Sequence, residues 1–191
     1  MLAGHFGLAA AVKAKSPEVP LWALMAAAQL IDIAFVPLLL TGVETIDASG
    51  GSGYGEAVIH ADYTHSLAGV LAIALLAGWA AAKAWGRRGG FTIGAVVFSH
   101  WLLDLIVHRA DLPLLPGNAG GLPLIGLGLW KWPEASAALE VVLIVAGSAM
   151  YARSVLRRSA RMRRRGRVYA AAALMVVLLG ASLLTDYFGI L

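Results

Sequence analysis

The sequence predicts an all-α integral membrane protein: a bundle of about five transmembrane helices with an N-terminal half-helix, forming one domain over residues 1–191. Three observations lead there. The chain is 60% hydrophobic and only 14% charged, with a mean hydropathy of +0.78, whereas soluble domains are about 45–50% apolar and about 25% charged. Five stretches approach the roughly 20 apolar residues that cross a bilayer. Lysine and arginine recur in every second connection between those stretches, the pattern of the positive-inside rule.

Residues 1–13 are helical in character but too short to span, and they lack the basic start and cleavage site of a signal peptide. A half-helix packed into the bundle is expected there. Spans follow at 20–41, 65–85, 91–108, 135–155 and 169–191. Alternate connections carry Lys13 and Lys15, then Lys83, Arg87 and Arg88, then the run Arg153, Arg157, Arg158, Arg161, Arg163, Arg164, Arg165 and Arg167. Of the basic residues, only Arg109 and Lys131 fall on the other side. The first connection and the arginine-rich loop 153–167 are therefore expected to be cytoplasmic, and the C-terminus external. Between two apolar spans, the arginine run reads as a topology signal and not as a nucleic-acid surface. Trp130, Trp132, Tyr187 and Phe188 suit an outer aromatic belt; Trp22, Trp85 and Tyr169 suit an inner one.

Two external segments, 42–64 and 109–133, are long enough to form a cap. The first contains a Gly-Gly-Ser-Gly-Tyr-Gly string at 50–55. No strand precedes it, so a flexible surface loop is expected and not a phosphate cradle.

The chain has no cysteine, which excludes thiol nucleophiles, disulfides and thiolate metal sites. A metal would be held by histidine, carboxylate, backbone or water, a donor set suited to zinc, manganese or iron. Residues 99–111 concentrate such donors. On a helix, His100, Asp104, His108 and Asp111 fall in a stripe roughly 80° wide, and polar side chains inside apolar spans mark function.

Counting depth at about 1.5 Å per residue, His100 lies roughly 13 Å above the cytoplasmic end, Asp104 roughly 20 Å, Asp32 about 18 Å and His5 about 12 Å. These four share a middle layer, with His65 above them. Asp32, between Ile31 and Ile33, must be protonated, paired or metal-bound. Gln29 shares its helix face, either orienting Asp32 or making a plain interhelical hydrogen bond. Pro37 suggests a kink. Glu140 suits a ligand, a supporting acceptor or a catalytic base. His60 and Asp62 read as solvated loop residues, and Asp186 as interfacial. Together His5, Asp32, His65, His100, Asp104 and His108 suggest a metal site of one to three divalent ions, zinc being the best suited.

The strings Gly4-His5-Phe6-Gly7, Gln29-Leu30-Ile31-Asp32, Tyr63-Thr64-His65-Ser66-Leu67, Ser99-His100-Trp101-Leu102-Leu103-Asp104 and Gly126-Leu127-Gly128-Leu129-Trp130 occur in that order. Together they resemble the bacterial YdjM-type membrane-bound metal-dependent hydrolases, a group distantly similar to zinc-dependent phospholipase C and the P1-type nucleases. The resemblance implies a metal ligand order of His, Asp, His and His-x-x-x-Asp, falling on His5, Asp32, His65, His100 and Asp104. His108 and Asp111 extend it. The soluble enzymes carry a further His-x-x-x-Glu pair that this chain lacks, with Glu140 or Asp111 as available substitutes. The expected function is a hydrolase of the bacterial inner membrane acting on a phosphoester of a lipid or lipid-linked substrate. In it Asp32 bridges metals or takes the proton of water, and Glu140 is the weaker candidate base. The competing readings are a proton or metal transporter, a b-type haem protein, and a non-catalytic membrane protein stabilised by its metal.

Overall fold

The computed structural model describes residues 1–47, 55–159 and 165–188. Helices dominate: α1 (Leu2–Lys15), α2 (Leu21–Ala28), α3 (Leu30–Leu40), α4 (Leu67–Val107), α5 (Pro133–Ser159) and α6 (Arg165–Tyr187). The all-helical expectation needs one correction. Strands β1 (Thr45–Asp47) and β2 (Val58–His60) form a small antiparallel ribbon with Thr45 opposite His60 and Asp47 opposite Val58. Its β-branched residues Thr45, Ile46, Val58 and Ile59 suit the extended backbone. Of the glycine string, only Gly55 lies within the described residues.

Among the described residues, two helices, Leu67–Val107 and Pro133–Arg158, are long and apolar enough to cross a membrane, and the α2–α3 pair makes a third if counted as one bent span. Five spans therefore do not emerge as five separate long helices. In α6 the described residues Ala172–Thr185 form a shorter apolar helix, and the side chains at 171 and 186, on either side of it, lie outside the described residues. The second and third expected spans are fused into α4, which nevertheless turns back on itself. Trp85 (φ −128°, ψ 18°) and Gly86 (φ 71°, ψ 176°) leave helical geometry, and glycine takes that positive φ without a Cβ clash. A Cβ built on Gly78 would lie 3.0 Å from the carbonyl oxygen of Gly90; in a straight helix residues twelve apart are about 18 Å apart. Residues 67–84 and 87–107 are thus two antiparallel arms, packed backbone to backbone through Gly78, Gly90 and Gly94, as small residues permit.

The first expected span is also broken, but not at Pro37. The chain bends by 48° between α2 and α3, at Gln29 (φ −111°, ψ 8°), while Pro37 sits inside α3. The Gln29 amide reaches the Leu2 carbonyl at 3.1 Å, an interhelical bond from the bend to the start of α1.

The short helix α1 is central. Ala3, Gly4, His5, Gly7, Ala9 and Ala10 are all buried, and a Cβ on Gly7 or Gly147 would strike the backbone of the facing helix. The α1–α5 crossing therefore depends on having no side chain at either position. Ala9, Leu24, Ile31, Val70, Val96, Val97 and Trp101 form the main apolar core among α1, α2, α3 and α4. Basic residues gather at one end of this assembly: Arg88 pairs with Glu18 at 3.3 Å, and Arg158 reaches the Ala14 carbonyl at 3.1 Å. The ribbon and the segment 109–133 occupy the other end, where Leu112 bridges Ile125.

Candidate metal centre

Four parts of the chain deliver five donor side chains to one place. His5 comes from α1, Asp32 from α3, His65 from the turn before α4, and His100 and Asp104 from the second arm of α4. His100 and Asp104 are four residues apart and share a helix face. His5 is held at depth by the start of its helix, where Gly4 N–H donates to Glu140 Oε2 on α5 at 2.8 Å. A buried carboxylate there satisfies an otherwise orphaned donor and suits the positive helix end.

The bend at Gln29 serves the site directly. In an unbroken helix the Ala28 carbonyl would accept from residue 32; here it accepts from His100 Nδ1 at 2.7 Å. That bond assigns the proton of neutral His100 to Nδ1, so its Nε2 presents a lone pair. Nε2 faces Asp104 Oδ2 at 3.0 Å and Asp32 Oδ1 at 3.5 Å.

A longer chain of bonds orients His65. Buried Glu44 accepts from the backbone N–H groups of Tyr63 and Thr64, each at 2.8 Å, and from the Thr64 hydroxyl at 2.9 Å. With its one proton given to the carboxylate, Thr64 Oγ1 accepts from His65 Nδ1 at 3.0 Å. Nε2 is then the lone-pair nitrogen, 3.4 Å from Asp32 Oδ1 and 3.8 Å from Asp104 Oδ2. Trp101 Nε1 donates to the His65 carbonyl at 2.9 Å, and Ser66 caps α4 by accepting from Gly69 N–H at 3.0 Å.

His5 completes the set. Its ring stacks on that of His100 at 3.9 Å, nearly parallel, and its Nε2 lies 3.2 Å from Asp104 Oδ1. Imidazole lone pairs aimed at carboxylate oxygens call for a cation or a proton between them. Donors held about 2.0–2.1 Å from a tetrahedral zinc lie roughly 3.3 Å from one another, close to most of these separations. Among the described residues, two overlapping triads each bring one donor atom per residue within 4.8 Å of one another: His5, His100 and Asp104, and Asp32, His65 and His100. Asp104 touches both, using Oδ1 toward His5 and Oδ2 toward His100 and His65. Its side chain is 5% exposed, while that of Asp32 is 43% exposed. The centre opens at Asp32.

The remaining expected residues fall elsewhere. The helix ends at Val107, and His108 is already extended (φ −60°, ψ 144°), so the four-residue helical stripe is cut in half. His108 Nδ1 bonds Asp111 Oδ1 at 2.9 Å, and its ring sits 6.4 Å from that of His65 and 4.2 Å from that of Trp130. It lies beside the triads, not in them. Glu140 belongs to neither triad and accepts from Gly4 as described. His60 is exposed on β2, as expected of a loop residue. The side chain of Asp186 lies outside the described residues. His65, expected above the other donors, joins the same cluster, in a turn whose backbone donates to Glu44. Glu44 itself carried no sequence signal beyond its acidity, and neither did the Ala28 carbonyl.

A family model described as YdjM inner membrane protein matches residues 1–188. The chain belongs to that family. Inner-membrane residence follows from the family and agrees with the apolar helices. No curated protein and no solved structure matches the chain.

Proposed function

We propose that this member of the YdjM family is a membrane-embedded metal-dependent hydrolase acting on a phosphoester of a lipid or lipid-linked substrate. The observation that carries the reading is the convergence of the Nε2 atoms of His65 and His100 on the carboxylates of Asp32 and Asp104. His5, Asp32, His65, His100 and Asp104 would hold the metal, and zinc suits three imidazoles with two carboxylates. Bound there, a divalent ion supplies Lewis acidity toward water and a phosphoryl oxygen. Each imidazole offers one lone pair here, so His100 serves a single ion; a second ion would share Asp104 or Asp32 as a bridge.

Asp32, bound to the centre yet half-exposed, is suited to accept the proton of attacking water at the mouth. Its neighbours Ile33 and Val36 are exposed and apolar, which suits an amphiphilic substrate arriving from the bilayer. Glu140 acts in this reading as a positioning residue through α1. The distant similarity that the sequence motifs imply between the YdjM group and zinc-dependent phospholipase C or P1-type nucleases suggests the reaction class, while the missing His-x-x-x-Glu pair argues for fewer ions than in those enzymes. With the arginine-rich end cytoplasmic, the mouth serves the opposite half of the membrane.

The test is elemental analysis of purified protein, wild type beside Asp104→Ala, followed by assay of phosphate release from phospholipids. Stoichiometric zinc or a similar metal in the wild type, lost in the variant, is expected, together with turnover that chelation abolishes. A folded wild-type protein without metal would overturn the reading. A second reading rests on the same donors coming from four separate parts of the chain, a geometry suited to a metal that only locks the bundle. It predicts that chelation lowers the melting temperature while no phosphoester is ever cleaved.

A further inference from the structure

Among the described residues, Arg88 and Arg158 lie at one end of the molecule, while Arg109 and Lys131 meet in one recess at the other. Arg109 and Lys131 line a cavity of about 520 Å³ at the ribbon end, with Gly55, Glu56, Gly128 and Trp130. We propose that this recess binds the phosphate of a lipid headgroup, with Arg109 and Lys131 as its cationic contacts.

Arg109 is held in place before any ligand arrives. Its Nη2 donates to the carbonyls of Gly55 at 2.7 Å and Glu56 at 3.2 Å. A guanidinium has five donors, and these bonds engage Nη2 alone. The fork geometry of the others matches phosphate oxygens. Lys131 folds back over Gly128, where a Cβ would lie 3.8 Å from its Nζ. The 3-10 turn Leu129–Lys131 brings Trp130 against His108. The recess therefore shares a wall with the rim of the metal centre.

Two exposed apolar residues say what sort of phosphate fits. Leu127 is 71% exposed and Trp132 is 61% exposed, one on each side of the 3-10 turn that carries Lys131. Cations flanked by exposed apolar and aromatic side chains suit the membrane interface, where a headgroup and its chains are bound together. A free phosphate would use the cations and leave the apolar rim without a role. Glu56 also lines the recess, so a phosphate with a small net charge fits better than a highly charged one.

The recess does not depend on the metal, and its test is arranged to keep the two apart. Full-length protein in detergent micelles is mixed with equal phosphatidylglycerol and dioleoylglycerol, and retained lipid is measured by native mass spectrometry. The wild type should retain phosphatidylglycerol preferentially, before and after chelation. Lys131→Gln and Arg109→Gln should each reduce that retention about tenfold, with Arg109→Lys intermediate. Arg88→Gln, at the opposite end, should leave it unchanged. Unchanged retention in folded Lys131→Gln overturns the proposal, as does equal retention of dioleoylglycerol by the wild type. Displacement by inorganic phosphate at lipid-equivalent concentration overturns the lipid assignment. Loss of retention on chelation alone would assign the headgroup to the metal and overturn the recess as its site.

Discussion

The two sides of the centre use the same side-chain chemistry in opposite surroundings. On the closed side, His5, His100 and Asp104 are all buried, and the α1 and α4 backbones that carry them are packed tightly through glycine and alanine. On the open side, Asp32 stands on the far half of a bent helix with 43% of its side chain exposed. Removing Asp104 leaves buried His5 without its carboxylate and His100 with only Asp32 at 3.5 Å, a costly arrangement. Removing Asp32 also takes a carboxylate from His65 and His100, but both still face Asp104, at 3.8 and 3.0 Å. In the proposed hydrolase, holding the metal and meeting the substrate would thus be divided between the two carboxylates.

The largest effect expected is for Asp104→Ala. Both triads lose a contact, so metal content should fall to background and unfolding should cost about 3–5 kcal/mol less, read by elemental analysis and thermal melting. Retained metal would mean that the closed side is not the anchor. Gly147→Leu should come next, because a side chain there strikes the Gly7 backbone. Overpacking of this kind costs up to about 3 kcal/mol, and separation of α1 from α5 should carry His5 away and lower metal affinity in parallel. Stable, metal-replete Gly147→Leu would show that α1 is not seated by this crossing.

Asp32→Asn should separate the two sides most clearly. Metal should stay bound through the closed side while phosphate release falls about 100-fold, with little change in melting temperature. If metal is lost as completely as in Asp104→Ala, the contrast fails. The smallest effect belongs to Glu44→Gln, which leaves the donors intact but weakens the bonds that orient His65. Such outer supports cost about 10–100-fold in metal affinity, and Thr64→Ser should be milder than Thr64→Val because it keeps the hydroxyl relay.

Much of the donor set was readable beforehand. His5, Asp32, His65, His100 and Asp104 stood out as polar residues in apolar surroundings, and helix rise placed four of them in one layer. The helical stripe was only half right, since nothing local marks Val107 as the end of α4. The bend was expected at Pro37 from its missing N–H, but it occurs at Gln29, where side-chain and carbonyl bonds to α1 and α4 compete with the helix ladder. Glu44 was invisible because its role depends on a ribbon that brings residue 44 beside residue 64.

Composition alone determined that this chain belongs in a membrane, since apolar content and charge segregation are properties of the residues and not of their arrangement. The spacing of His100 and Asp104 likewise follows from the helical repeat. Only the tertiary structure decided which nitrogen of His65 and of His100 faces the carboxylates, because a tautomer is set by the partner of the other nitrogen. The Ala28 carbonyl is 72 residues from His100, and Glu44, which takes the proton of Thr64, is brought beside its neighbour His65 only by the fold. The same holds for Asp32: its identity marks it as costly in a membrane, but its half-exposed place at the mouth is a consequence of how α3 leans against α4.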